Sequence, residues 1–127
     1  SAGNATDFGD LTVARDENPA GCSSATRGLW GGGQNGGLSN VIDYVTIASA
    51  GNAIDFGDLT AARNGPAGCS SATRGLWGGG FVTGPVNTNI IDFVTIAAVG
   101  NATDFGDLTA ARHALGACSD VHGGLYG

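Results

Sequence analysis

The string AGCSSATRGLWGGG occupies residues 20–33 and returns unchanged at 67–80. The string GNAIDFGDLTAAR at 51–63 returns at 100–112 with Ile54 replaced by Thr103, and a further version, GNATDFGDLTVAR, stands at 3–15. VIDYVTIAS at 41–49 corresponds to IIDFVTIAA at 90–98, and a degenerate version of the first string, ACSDVHGGLYG, fills 117–127. The period is 47 residues from Ala20 to Ala67 and 49 from Gly51 to Gly100. A fixed period of this size marks one supersecondary unit used several times over.

Each period carries four strand signals. GCSSAT (21–26 and 68–73) consists of small residues, and RGLWG (27–31 and 74–78) is halted by a glycine run. The third signal is NVIDYVTIAS or NIIDFVTIAA (40–49 and 89–98), and the fourth is the AIDFGDL type (5–11, 53–59 and 102–108). Gly-Gly-Gly, Ala-Gly-Asn and Asn-Gly-Pro separate them as turns. The least repeated segments, QNGGLS (34–39) and FVTGPVNT (81–88), are expected surface loops. In the third strand Ile42, Tyr44, Thr46 and Ala48 share one face and Val41, Asp43, Val45 and Ile47 the other, so both faces are mostly apolar. Such a strand belongs between two layers.

Composition narrows the class. Glycine fills 24 of 127 positions and charged residues only 13%. Lysine is absent, so the basic residues are Arg15, Arg27, Arg63, Arg74 and Arg112. Neither a helical bundle nor a coiled coil is built from such material. The glycines do not fall at every third place, which excludes collagen. A net charge of −6 argues against binding a phosphate backbone. No apolar run is long enough for membrane insertion, and no signal peptide is evident at the start. Cys22, Cys69 and Cys118 fall at equivalent repeat positions, which reads as three reduced, small buried groups rather than a metal pattern.

The glycines Gly31–Gly33 and Gly78–Gly80, the aromatics Tyr44 and Phe93, the phenylalanines Phe8, Phe56 and Phe105, and the arginines Arg15, Arg63 and Arg112 resemble the spaced signature of Kelch repeats. The chain departs from that signature in the wider Tyr44–Phe56 gap and in having no tryptophan on the fourth strand. The resemblance implies an all-β fold: a partial β-propeller of four-stranded blades, about 2.5 to 3 repeats of 47–49 residues. Residues 1–15 then give the last strand of a preceding blade, 16–63 and 64–112 one blade each, and 113–127 the start of another. Too few blades are present to close a ring, so the chain is expected to join further copies of itself or other protein partners, or to be a segment of a longer array. The repeat strings are also similar to those of structural, tail- or fibre-associated proteins of marine bacteriophages. That likeness implies an extracellular or virion-associated setting.

Each candidate site also has a structural role open to it. DFGD at 7–10, 55–58 and 104–107 is no kinase motif, because no lysine exists to serve one. Asp55, Asp58, Asp104 and Asp107 are calcium candidates by their hard oxygens, with an aspartate-capped turn as the simpler role. Arg27 and Arg74 offer guanidinium forks for an anionic ligand, or pair with Asp43 and Asp92 to tie blades together, and the same pairing role is open to Arg15, Arg63 and Arg112. Trp30 and Trp77 are sugar-stacking candidates or inter-blade filling. His113 and His122 occur only in the degenerate repeat; with Cys118 and Asp120 they suggest a triad or metal site, and surface histidines are the simpler reading. Asn4-Ala-Thr6 and Asn101-Ala-Thr103 match a glycosylation pattern that Asn52-Ala53-Ile54 breaks. With no nucleophile–base pair or phosphate loop, the expectation is a non-enzymatic structural or adhesion module without a cofactor. The alternative is a glycan-binding propeller lectin using the loops after Gly33 and Gly80; an oxidase of the galactose-oxidase kind ranks third.

Overall fold

The structure, a computed structural model, describes residues 2–119 and is all-β, with no helix among them. Strands β1 (Ala20–Ser23), β2 (Arg27–Gly31), β3 (Val41–Thr46) and β4 (Ile54–Asp58) form one antiparallel sheet in that order. Strands β5 (Ala67–Ser70), β6 (Arg74–Gly78), β9 (Ile90–Thr95) and β10 (Thr103–Asp107) form a second, while β7 (Phe81–Val82) and β8 (Val86–Asn87) make a small hairpin between β6 and β9. The registers repeat: Cys22 lies opposite Leu29 as Cys69 lies opposite Leu76, and Trp30 opposite Asp43 as Trp77 opposite Asp92. The described residues form no closed ring.

Local chemistry sets the strand ends, and corrects three sequence expectations. The first strand stops at Ser23 and Ser70, not at 26 and 73. There the Ser24 hydroxyl accepts the N–H groups of Thr26 and Arg27 at 3.2 and 3.1 Å, and Ser71 does the same for Thr73 and Arg74, which turns the chain into a hairpin. The third strand stops at Thr46 and Thr95, because Ser49 and Ala98 donate back to those carbonyls as turns. The segment 81–88 is not wholly loop, since its ends pair as β7 and β8.

The fourth strands bulge. Pairing passes from Ile42–Gly57 to Asp43–Asp55, which leaves Phe56 unpaired in the ladder, and Phe105 is skipped in the same way. Gly57 permits this: its φ is +148°, and a Cβ there would run into the carbonyl oxygen of Gly100. Residues 5–11, expected as a fourth strand, form no ladder. They keep only the outer contacts of one. The N–H groups of Gly51 and Ala53 donate to Phe8 and Asp10, each at 2.8 Å, as those of Gly100 and Ala102 donate to Phe56 and Asp58 at 2.9 and 2.8 Å. No β3-like strand lies beside residues 5–11 among the described residues, so half of the ladder is missing.

The two sheets stack face to face. Ala20, Leu29, Ile42 and Phe56 of the first meet Trp77, Val94 and Ile96 of the second, and Leu59 seals the edge. All are buried below a tenth of their surface. Together they constitute the core, each large side chain contributing about 1.5–3 kcal/mol by burial. The small residues of β1 and β5 allow close approach: a Cβ on Gly68 would stand 2.5 Å from the carbonyl oxygen of Gly21.

Candidate functional site

Each third strand places one aspartate on an otherwise apolar face. Asp43 and Asp92 are fully buried, and a buried carboxylate needs compensation. The DLTxAR stretch that precedes each sheet supplies it. Thr12 donates to Asp43 through both its N–H and its hydroxyl, and Arg15 Nη2 meets Asp43 Oδ2 at 2.7 Å. Arg15 Nη1 also donates to the carbonyls of Gly32 and Val41 at 3.1 and 2.7 Å. In the second sheet Thr60 donates twice to Asp92, and Arg63 Nη2 bonds Asp92 Oδ2 and the Trp77 carbonyl, both at 3.1 Å. Burial lowers the pKa of Arg63, against the pull of the neighbouring Asp92 charge. Because Thr60 and Arg63 follow β4 of the first sheet, this clamp fastens one sheet to the next.

The expected pairing of Arg27 and Arg74 with these aspartates is therefore corrected. Trp30 faces Asp43 across the ladder, whereas Arg27 lies opposite Thr46 near the strand end and cannot reach the carboxylate. Its guanidinium instead lies 4.6 Å from the centre of the Tyr44 ring and donates to the Ile96 carbonyl at 2.8 Å. Arg74 takes the matching place 4.7 Å from the centre of the Phe93 ring. Sequence reasoning passed over Thr12 and Thr60. Their signal was the aspartate stranded on an apolar face, which demands donors from another segment.

The tryptophans divide. Trp77 is fully buried between the sheets and its indole N–H donates to the Ala20 carbonyl at 3.0 Å. Trp30 is half-buried and lines an open apolar groove of about 500 Å³ with Phe8, Leu11, Val45, Ile47 and Ala53. This groove is bordered by no residue of the variable loops 34–39 and 81–88.

Asp55 and Asp104 each accept the N–H of the glycine two residues on, at 3.0 Å. The N–H of Asp58 donates to Asn101 Oδ1 at 3.1 Å as that of Asp10 donates to Asn52 Oδ1 at 3.0 Å. Asn52 and Asn101 thus do the same work with and without the glycosylation pattern. Among the described residues no group of three or more histidine, cysteine, aspartate or glutamate side chains converges as a metal site, and Asp58 and Asp107 join no such group. Cys22, Cys69 and Cys118 are free thiols, but Cys22 and Cys69 are only half-buried and Cys118 is exposed, which corrects the expectation of three buried groups. Burial, and then the neighbouring Cys69, pushes the Cys22 thiol up to about 12, and burial raises Cys69. Arg112 is exposed. His113 Nδ1 is 2.7 Å from Asn87 Oδ1, with its ring 5.4 Å from that of Phe81. Asp120, His122 and the rest of the expected further blade beyond residue 119 lie outside the described residues.

The variable loops meet at one end of the sheets. Between them lies a cleft of about 380 Å³ bordered by Glu17, Gln34, Asn64 and Phe81 among others. Asn64 Nδ2 donates to Glu17 Oε2 and Gln34 Oε1, both at 3.2 Å. No protein-family model matches the chain, and no curated protein matches it.

Proposed function

We propose that the chain is a non-catalytic structural or adhesion module, a stretch of stacked four-stranded sheets that continues into a Kelch-like β-propeller, in a virion tail or fibre or another extracellular assembly. One observation carries this reading. Thr60, Arg63 and Asp92, the residues best suited to chemistry, are taken up in a buried clamp between the two sheets, and Thr12, Arg15 and Asp43 make the same contacts on the first. Further sheets of the same kind, from protein partners or other copies of the chain, are the natural neighbours of such a unit. Electron microscopy of the assembled particle tests it. Four to eight such sheets around an axis lined by the β1 and β5 strands support the reading; a straight stack, or a protein that turns over a substrate, refutes it.

A glycan-binding reading has a specific support in the loop cleft, where amides, a carboxylate and the Phe81 ring converge. Its test is a glycan array. Saturable, sugar-specific binding that survives Trp30→Ala but is lost in Phe81→Ala and Asn64→Ala would favour it.

A further inference from the structure

The open groove on the first sheet and the core between the sheets are the same set of residues, one repeat apart. Phe8, Leu11, Trp30, Val45, Ile47 and Ala53 line the groove. Their equivalents Phe56, Leu59, Trp77, Val94, Ile96 and Ala102 lie in the core or against it. What fills the core and is missing from the groove is the opposing face of the first sheet: Ala20, Cys22, Leu29, Ile42 and Tyr44. The chain bears that face a second time, as Ala67, Cys69, Leu76, Ile91 and Phe93 on the second sheet.

We propose that the groove is a docking site for the second sheet of another copy of this chain, seated as the first sheet sits on the second. The inference rests on the stacked-sheet reading above and names its partner. The established interface between the sheets supplies the geometry. Trp77 there takes the carbonyl of Ala20, and the Sγ of Cys22 lies over Gly75. Across the new contact, Trp30 takes the carbonyl of the second copy's Ala67, and Cys69 of the second copy lies over Gly28.

One strand must be exchanged. Residues 3–12 and 100–109 are the same ten residues, GNATDFGDLT. Residues 5–11 already occupy the outer position over the groove and keep Asp43 clamped through Thr12 and Arg15. They pair with β9 of the incoming copy in place of its β10, and that copy releases β10 and the residues after it. The exchange replaces one ladder with an identical one while filling an apolar groove. β10 has the ladder of β4 without its packing: Phe105 is 51% exposed where Phe56 is 1% exposed. The contact is head-to-tail, so it propagates from copy to copy.

The test is a targeted disulfide. A Cβ on Gly28 meets only ordinary van der Waals neighbours, Trp30 and Val45 at 3.6 Å, so Gly28→Cys folds as the parent chain does. On the equivalent Gly75 a Cβ stands 2.6 Å from Cys22 Sγ, within reach of a disulfide after a small adjustment. The Gly28→Cys chain is oxidised at micromolar concentration, separated without reductant, and its linkages mapped by mass spectrometry. The expected product is a ladder of species joined between residues 28 and 69. Adding Ile47→Glu, at a residue 48% exposed in the single chain, reduces that product roughly tenfold or more without altering the melting temperature of the monomer. A 28–118 or 28–28 linkage, or no intermolecular product from a folded chain, overturns the proposal. The propeller reading fails separately, by its own microscopy.

Discussion

Trp30 and Trp77 sit in the same fourteen-residue string, on equivalent strands and opposite equivalent aspartates, yet one is partly buried and the other fully buried. The same difference separates Phe8 from Phe56 and Ile47 from Ile96: Phe8 is 38% exposed and Phe56 1%, Ile47 48% and Ile96 1%. In these two strands the same string gives the same pairing register, while the environment is set by the neighbouring sheet. In a stacked repeat, stability resides in the interfaces between units as well as in the units.

The strongest way to break that comparison is to truncate both tryptophans. Trp77→Ala opens a cavity in the core and strands the Ala20 carbonyl, and it should cost about 3–5 kcal/mol in denaturant unfolding. Trp30→Ala should cost about half of that or less, because the ring is only partly buried and lines an open groove with no sheet packed over it. Equal losses would show that Trp30 is covered in the free chain.

A second contrast separates backbone strain from crowding. Gly57 and Gly106 share a positive φ, +148° and +152°, but an added Cβ collides with the Gly100 carbonyl only at Gly57. Gly106→Ala should cost the backbone penalty alone, about 1–3 kcal/mol, and Gly57→Ala clearly more. Thermal melts of the two variants measure the difference. A smaller, opposite effect is expected at Ala114. It holds φ +53° at the position where the earlier repeats place Asn18 and Gly65, so Ala114→Gly should stabilise by about 1 kcal/mol or less.

The smallest effect is nil at neutral pH. The Cys22 thiol is raised from 9.0 to about 12, so between those values the folded chain holds a proton that the unfolded chain has lost. The thiol's contribution to stability should therefore be constant below pH 9 and be lost as pH climbs toward 12. Cys22→Ala should flatten that part of the decline, and urea midpoints measured across this range would reveal it.

Much of the fold was legible because the repeat printed it twice. RGLWG reads as a strand and is β2 and β6 to the residue. The overlong first strand was misread because GCSSAT is uniformly small, and nothing in that pattern separates strand residues from a serine-capped turn. The arginine assignments were less legible. Arg27 adjoins the tryptophan opposite Asp43 in sequence, but pairing register, not sequence proximity, decides which guanidinium reaches a buried carboxylate. Arg15 and Arg63 reach theirs from a segment that pairs with neither strand. The open groove could not be read at all, since Val45 and Val94 look alike until one of them is covered.

A double-mutant cycle on Arg63 and Asp92 tests most directly whether these residues fasten sheet to sheet. Removing either partner alone, as Arg63→Met or Asp92→Ala, leaves the other buried without its partner and should cost about 3–5 kcal/mol in denaturant unfolding. Removing both should cost less than the sum of the single losses, by a coupling energy of at least about 1 kcal/mol. Single losses that add to within about 0.5 kcal/mol would contradict the clamp.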